Sequence, residues 1–276
     1  MIEHQPPDDS APTDPAVDPM DPSGTPTDPP AMTGSGDDPT GDSRTTRPQA
    51  APGDGPHPNR IRSSRNVAVV ERAALADTLA AVGPDSPTLC EGWTTYDLVA
   101  HLVVREDRPD VVPGVAAPAG SRLGAYAEAR RREVMARPYD ELVAHFRAGP
   151  SRLSMFRMPG MDRLANTPEH AIHHEDVLRA QPGWQPRDLP GWEQRQLLGP
   201  LKLFARGRFR RAPVGVELVP ESGRPVLARA GVPRVSVQGP AMELLLFASG
   251  RQAHARVEIL GLDDALDQFS GWLEES

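Results

Sequence analysis

Residues 167–180 constrain the fold more than any other stretch, because ionisable side chains are concentrated there within a segment that otherwise favours a helix. Eight consecutive positions, from Glu169 to Asp176, hold three histidines and three carboxylates. Thr167 is placed to cap such a helix, and the proline after it suits the first turn. Glu169 and His173 are four residues apart, so they project from one helical face, and Asp176 follows three residues later on that face. The pattern predicts a helix that presents two metal ligands and a carboxylate able to hold a ligand imidazole.

The spacing alone does not settle which face of this helix carries the ligands. His170 and His174 are also four residues apart, so they define an alternative face. Glu175 is an alternative to Asp176 as the partner of a ligand imidazole. A cluster of this kind also suits a solvated helix face that binds nothing. Metal binding therefore requires a further ligand from another part of the chain.

Residues 93–106 predict a second helix, which carries a candidate for that ligand. Thr94 and Asp97 have the spacing of a capping box, with the shorter Asp in place of Glu. His101 shares one stripe of this helix with two leucines and Arg105, so it is expected to point inward. An inward histidine is either a hydrogen-bonded core residue or a ligand for a metal shared with the first helix.

Apolar periodicity predicts a helical body followed by a small α+β unit. Further helices are expected at 64–82, 122–136, 139–146 and 192–206, with a loop at 107–120 and a short apolar element at 155–161. Gly199-Pro200 is expected to kink or interrupt the last of these helices. Alternation then predicts strands at 214–220, 225–229, 234–238 and 257–260, with helices at 241–249 and 262–272. The expected domains are a helical bundle over 61–212 and an α+β domain over 213–276.

The first 60 residues differ from the rest in composition. Fourteen of the 32 prolines lie there, and residues 1–43 carry ten acidic side chains and no basic one. Such a segment lacks the apolar surface to offset the entropy of ordering, so residues 1–60 are predicted to be a disordered tail. Residues 1–43 account for the net charge of −8, because residues 44–276 have 30 basic and 28 acidic side chains. A near-neutral body gives no reason to expect nucleic acid as a partner.

Further classes of protein are excluded by what the sequence lacks. No run of about 18 apolar residues occurs, which argues against a membrane-spanning helix, and the N-terminus lacks the regions of a secretory signal. Cys90 is the only cysteine, so an internal disulfide framework is excluded. These features predict a soluble, cytoplasmic protein without a membrane partner. The arginine-rich segment 206–211 is interpreted as a solvated helix end and not as a phosphate site.

Two separated motifs carry a resemblance to a known family. One is the segment 90–102, Cys-Glu-Gly-Trp-Thr-Thr-Tyr-Asp-Leu-Val-Ala-His-Leu, and the other is 246–251, Leu-Phe-Ala-Ser-Gly-Arg. They resemble the start of the second helix and part of the small C-terminal domain of the mycothiol-dependent maleylpyruvate isomerase family, within the wider DinB/YfiT-like group. Over about residues 62–272, the resemblance implies a mainly α fold: a DinB-like four-helix bundle followed by a small α+β domain. The chain is most similar to the uncharacterised actinobacterial metal-binding branch, so maleylpyruvate isomerase activity is not inferred.

The resemblance also implies a ligand set and a cosubstrate. In this family a histidine of the second helix joins a Glu-x-x-x-His pair around one divalent ion, typically zinc, and the matching positions are His101, Glu169 and His173. Two imidazoles and one carboxylate leave coordination positions open, so the ion can lower the pKa of a bound water or thiol. The family implies mycothiol as that thiol. Arg251, which matches a family arginine, and Arg105 are candidates for binding an anionic group of the thiol or substrate.

The sequence supports three hypotheses for function, and it assigns no catalytic residue. The first is a mycothiol-dependent transferase or isomerase that acts on a small electrophile. The second is a non-catalytic metal-binding module in regulation or stress response, and the third is a bundle whose histidines serve packing alone. The protein is expected to be a monomer or a homodimer. Cys90 precedes His101 by eleven residues, so a position near the site is one alternative, and a small buried hydrophobic residue is the preferred interpretation.

Overall fold

The computed structural model describes residues 66–275 apart from 109, 112–119, 152, 153, 155, 157 and 159. The predicted tail at 1–60 lies outside the described residues. The predicted loop at 107–120 and the short apolar element at 155–161 lie partly outside them. The part that is described is mainly helical and has a small sheet near the C-terminus, as predicted.

The described ranges contain eight α-helices, four of which form a bundle. The helices are α1 (Val67–Val82), α2 (Thr95–Asp107), α3 (Arg122–Val134), α4 (Tyr139–Ala148), α5 (Thr167–Arg179), α6 (Gly191–Phe209), α7 (Ala241–Ala248) and α8 (Asp263–Glu275). One apolar core contains Leu79 of α1, Leu102 of α2, Phe146 of α4 and Val177 of α5. This four-helix arrangement confirms the predicted fold class. Within the described ranges, none of the helices is both long and apolar enough to cross a bilayer.

Local side-chain chemistry fixes where the first two helices begin. The Asn66 side chain accepts a hydrogen bond from the backbone N–H of Ala68 at 3.2 Å, which caps α1. The same helix ends at Gly83, whose φ of +83° is strained for residues with a Cβ. Thr94 and Asp97 form the predicted capping box at the start of α2.

The start of α5 differs from the prediction. A π-helical turn, Asp162–Asn166, runs directly into α5, so Thr167 already has helical backbone angles, φ −57° and ψ −56°. Thr167 therefore does not cap the helix, and its hydroxyl is buried without a hydrogen-bond partner. A side-chain cap needs an extended residue ahead of the first turn, and the π turn leaves no such residue. The proline after Thr167 does occupy the first turn, as predicted.

Pro200 does not interrupt α6, which is a single helix from Gly191 to Phe209. Proline within a helix costs about 3 kcal/mol, because it removes a hydrogen bond and its ring meets the preceding turn. Leu197 and Leu201, which lie on either side of Pro200, are fully buried in the same core. Packing along both halves of the helix therefore outweighs the local preference that predicted an interruption.

Four strands form a sheet that packs against α6, α7 and α8. They are β1 (Gly215–Pro220), β2 (Val226–Arg229), β3 (Arg234–Gly239) and β4 (Glu258–Leu260), in the order β2-β1-β3-β4. β1 and β3 are parallel, and the other neighbours are antiparallel. Alternate residues Val216 and Leu218 of β1 share one apolar core with Ile172 of α5. The sheet and α5 are therefore held by one continuous core, and the division into domains at residue 212 remains a prediction.

A buried ion-pair network joins α5 to α7. The Nε of Arg179 donates to Glu175 at 2.6 Å, and its Nη1 and Nη2 donate to the two oxygens of Glu243 at 2.9 and 2.5 Å. Glu175 also accepts from Nε of Arg187 at 2.6 Å, and Arg187 reaches Glu71 of α1 at 3.1 Å. A chain of opposite charges therefore runs from α1 through α5 to α7.

Candidate metal centre

The side chains of His101 on α2 and of Glu169 and His173 on α5 meet between the two helices. Oε1 of Glu169 lies 3.0 Å from Nε2 of His101 and 3.4 Å from Nε2 of His173. The two imidazole rings are edge to face, with their centroids 5.4 Å apart. One ligand atom from each of the three residues lies within 4.8 Å of the other two. Two imidazoles and one carboxylate at this spacing are a suitable donor set for zinc or another divalent transition metal.

The protonation of these three side chains is set by burial and by their mutual contacts. Burial lowers the pKa of His101, which favours the neutral imidazole that a metal requires. Burial raises the pKa of Glu169, but hydrogen bonds with both histidines outweigh it and hold that pKa well below its usual value. Burial likewise opposes the charge on His173, but hydrogen bonds with Asp176, Cys90 and Glu169 raise its pKa well above the usual value. His173 therefore carries a proton that a metal would have to replace.

Asp176 holds the other nitrogen of His173. Its Oδ2 lies 2.9 Å from Nδ1 of His173, which is the position of a carboxylate that could orient a ligand imidazole. Asp176 is buried, and Arg251 donates to both of its oxygens at 2.9 and 2.7 Å. Burial raises the pKa of Asp176, but the bonds from His173 and Arg251 lower it to about 2. Asp176 thus stays ionised and directs Nε2 of His173 toward Glu169.

Arg251 is the point at which the C-terminal part of the chain reaches this centre. Its Nε and Nη2 contact Asp176, and its Nη1 donates to the backbone oxygen of Ser249 at 2.8 Å. Arg251 therefore lies beside Asp176, which contacts the candidate ligand His173. All of these contacts are with groups of the protein, so the role of Arg251 in binding the thiol or substrate remains a prediction.

The thiol of Cys90 is in polar surroundings, although the sequence suggested a small hydrophobic role. Its Sγ lies 3.4 Å from Oδ2 of Asp176 and 3.9 Å from Nη2 of Arg251. Cys90, His173 and Asp176 form a second group whose ligand atoms lie within 4.8 Å of one another. Cys90 and Arg251 also line a pocket of about 420 Å³ together with His254. This pocket gives a small molecule room beside two residues, Cys90 and Arg251, that contact Asp176.

The alternative face of α5, which carries His170 and His174, points into the bundle core. His170 is fully buried, with Nδ1 2.8 Å from the backbone oxygen of Ala68 and Nε2 2.9 Å from Glu106. His174 contacts Glu71 of α1 at 2.8 Å. Neither histidine belongs to a group of three metal-binding side chains among the residues that the structure describes. Glu175, the alternative to Asp176, pairs with arginines instead of a histidine.

We expect His170→Ala to weaken folding while leaving metal binding intact. The substitution removes the two buried contacts of the imidazole with Glu106 and the Ala68 carbonyl, although Glu106 keeps its pair with Arg72, and each lost hydrogen bond costs about 0.5–1.5 kcal/mol. Urea unfolding should show the loss, and elemental analysis of the folded protein should show unchanged metal. Metal loss from folded His170→Ala protein would assign the ligands to the other face.

A family model matches much of this bundle. Residues 67–181, which contain His101, Glu169 and His173, match the mycothiol maleylpyruvate isomerase N-terminal domain. The match ends before the sheet and before Arg251, so it supports the bundle part of the predicted resemblance directly.

Solved structures of mycothiol-dependent maleylpyruvate isomerase are similar to this chain at low identity. A mutant form is 18% identical over 72% of this chain and 92% of that chain, with a TM-score of 0.48. The form without a stated mutation is 17% identical over 75% of this chain and 93% of that chain, with a TM-score of 0.44. A search of curated proteins finds no match.

Proposed function

We propose that the protein binds one divalent metal ion, zinc in the first instance, through His101, Glu169 and His173. The observation that carries this proposal is the convergence of one ligand atom from each residue within 4.8 Å, across two helices. The side chains are 12%, 20% and 13% exposed, so they are sheltered but within reach of a small molecule. A bound ion with open positions would lower the pKa of a thiol or water ligand.

We further propose that the protein uses a low-molecular-weight thiol of the mycothiol class to transform a small electrophile, as an isomerase or transferase. The family model that matches residues 67–181 supports the thiol, because the description of that family names mycothiol. The pocket lined by Cys90 and Arg251 supports a small-molecule reaction, because both residues contact Asp176, the partner of His173. In this arrangement Asp176 orients His173, and Arg251 holds Asp176 in place. The oligomeric state and the cytoplasmic location remain predictions from the sequence.

The test combines metal content with thiol dependence. Purified wild-type protein should contain close to one divalent ion and should consume a small electrophile, such as an unsaturated dicarboxylate, only when mycothiol is added. His101→Ala should lose the metal and the reaction together. Metal binding without thiol-dependent turnover across the electrophiles would instead support the metal-binding regulatory module. Absence of metal after reconstitution would refute both functions.

Metal binding is expected to tighten as the pH rises. His173 carries a proton in the metal-free centre because its pKa is raised well above the usual value, and a metal must displace that proton. Displacement of one proton changes the apparent affinity about tenfold per pH unit below the pKa of the group. Calorimetry in buffers of different ionisation enthalpy should detect the released proton. An affinity that does not change with pH would contradict this assignment of His173.

A further inference from the structure

Every nitrogen of the Arg105 guanidinium has a partner inside the protein. Nη1 donates to Oδ1 of Asn166 at 2.6 Å, and Nη2 donates to the backbone oxygen of Ala165 at 3.0 Å. Nε lies 3.4 Å from Oε2 of Glu169. The guanidinium also lies over the ring of Phe156, with 4.6 Å between its carbon and the ring centroid. Two of these partners, Asn166 and Ala165, belong to the π turn that precedes α5.

The π turn is itself fixed in place. Asn166 is fully buried, and its Nδ2 donates to Oδ1 of Asp162 at 3.0 Å. The other oxygen of Asp162 accepts from Nδ2 of Asn66, the capping residue of α1, at 2.8 Å. Single π turns within helices are frequent at functional sites, because they shift side chains out of the regular register. Here the turn presents the amide of Asn166 and the carbonyl of Ala165 to one arginine.

The two oxygens of Glu169 have different surroundings. Oε1 faces both His101 and His173, whereas Oε2 faces Arg105. Only Oε1 therefore points into the space between the histidines. The proposed metal centre therefore uses Oε1 of Glu169 as a ligand atom. The direction of Oε1 depends on the group that holds Oε2.

We propose that Arg105 is a positioning residue for Glu169, held by the π turn, and that it does not bind the substrate. This inference rests on the proposed metal centre. The Arg105 side chain is 10% exposed, and its donors are engaged by groups of the protein. A residue that holds a ligand in this way raises metal affinity, and loss of such a partner lowers that affinity about 10–100-fold.

The test uses two substitutions that keep the charge of the site. Arg105→Lys keeps the positive charge, but one nitrogen cannot meet Glu169, Asn166 and Ala165 together. Asn166→Leu keeps Arg105 and removes its principal partner. The matched control is Arg72→Lys, because Arg72 is also a buried arginine, pairs with Glu106 at 2.6 Å and lies 5.0 Å from the Phe146 ring centroid. The control separates a general loss of stability from an effect on Glu169.

We expect Arg105→Lys and Asn166→Leu to bind Zn²⁺ and Co²⁺ about 10–100-fold more weakly in competition with a chelator. The visible absorption of the Co²⁺ form should also shift, because the direction of a carboxylate ligand changes. Arg72→Lys should leave both the affinity and the spectrum as in wild type. Unchanged affinity and spectrum in Arg105→Lys would overturn the inference alone, whereas wild-type protein that binds neither ion would overturn the proposed function and the inference with it.

Discussion

His173→Ala protein is expected to purify without metal, whereas wild-type protein retains close to one divalent ion. The substitution removes a ligand nitrogen, and it also leaves Asp176 with no imidazole to orient. Glu169 and His101 alone supply two ligands, which is fewer than the three protein ligands of typical catalytic zinc sites. Elemental analysis after gel filtration, with and without added zinc, measures the effect directly.

His145→Ala is the matched control for this experiment. His145 lies on α4, pairs with Asp107 and is 35% exposed, so its loss removes a histidine without touching the proposed centre. The control should retain wild-type metal content. Equal metal loss from His145→Ala would mean that the metal is held by surface histidines, and full metal content in His173→Ala would place the site elsewhere.

Arg179→Met is expected to destabilise the protein by about 3–5 kcal/mol, as is typical when one partner of a buried ion pair is removed. Arg179 has no exposed side-chain surface, and it is the cation between Glu175 and Glu243. Its removal leaves two buried carboxylates with fewer positive partners, and it also removes the bond to the backbone oxygen of His254. The free energy of unfolding in urea, measured at constant pH, should show the loss.

The double variant Arg179→Met, Glu243→Met tests whether an unpaired buried charge causes the loss of stability in Arg179→Met. If an unpaired buried charge is what destabilises the single variant, the double variant should lose less than the sum of the two single losses. Arg147→Met serves as the exposed control, because Arg147 and Asp77 are 43% and 72% exposed and such pairs contribute about 0–1 kcal/mol. Additive losses in the double variant would contradict the proposed coupling between α5 and α7.

The convergence of the three candidate ligands could be predicted from the sequence, because the signal that identifies them is local. Helical spacing places Glu169 and His173 on one face, and a separate helix motif supplies His101. The structure brings these three together, and it directs the alternative pair of histidines into the core. Spacing alone does not decide which face of α5 carries the candidate ligands, because only the packing of α5 against α1 distinguishes the two faces.

The partners of those ligands were harder to predict, because they depend on long-range packing. The sequence predicts that Arg105 binds an anion, and periodicity does not reveal the π turn that receives its guanidinium. The role of Arg179 was missed for a similar reason, because Glu243 lies 64 residues further along the chain. One signal was present: Glu243 interrupts the otherwise apolar run Ala241–Ala248, where a charge is expected only with a buried partner.

The contact between Arg251 and Asp176 bears on the order in which the chain is made. Synthesis proceeds from the N-terminus, so all three proposed ligands leave the ribosome before Arg251, which follows Asp176 by 75 residues. Until the C-terminal residues fold, Asp176 has no arginine beside it, and the orientation of His173 is only partly determined. We therefore expect a nascent or C-terminally truncated chain to hold metal more weakly than the finished protein, so metal uptake would follow synthesis instead of guiding the early steps of folding.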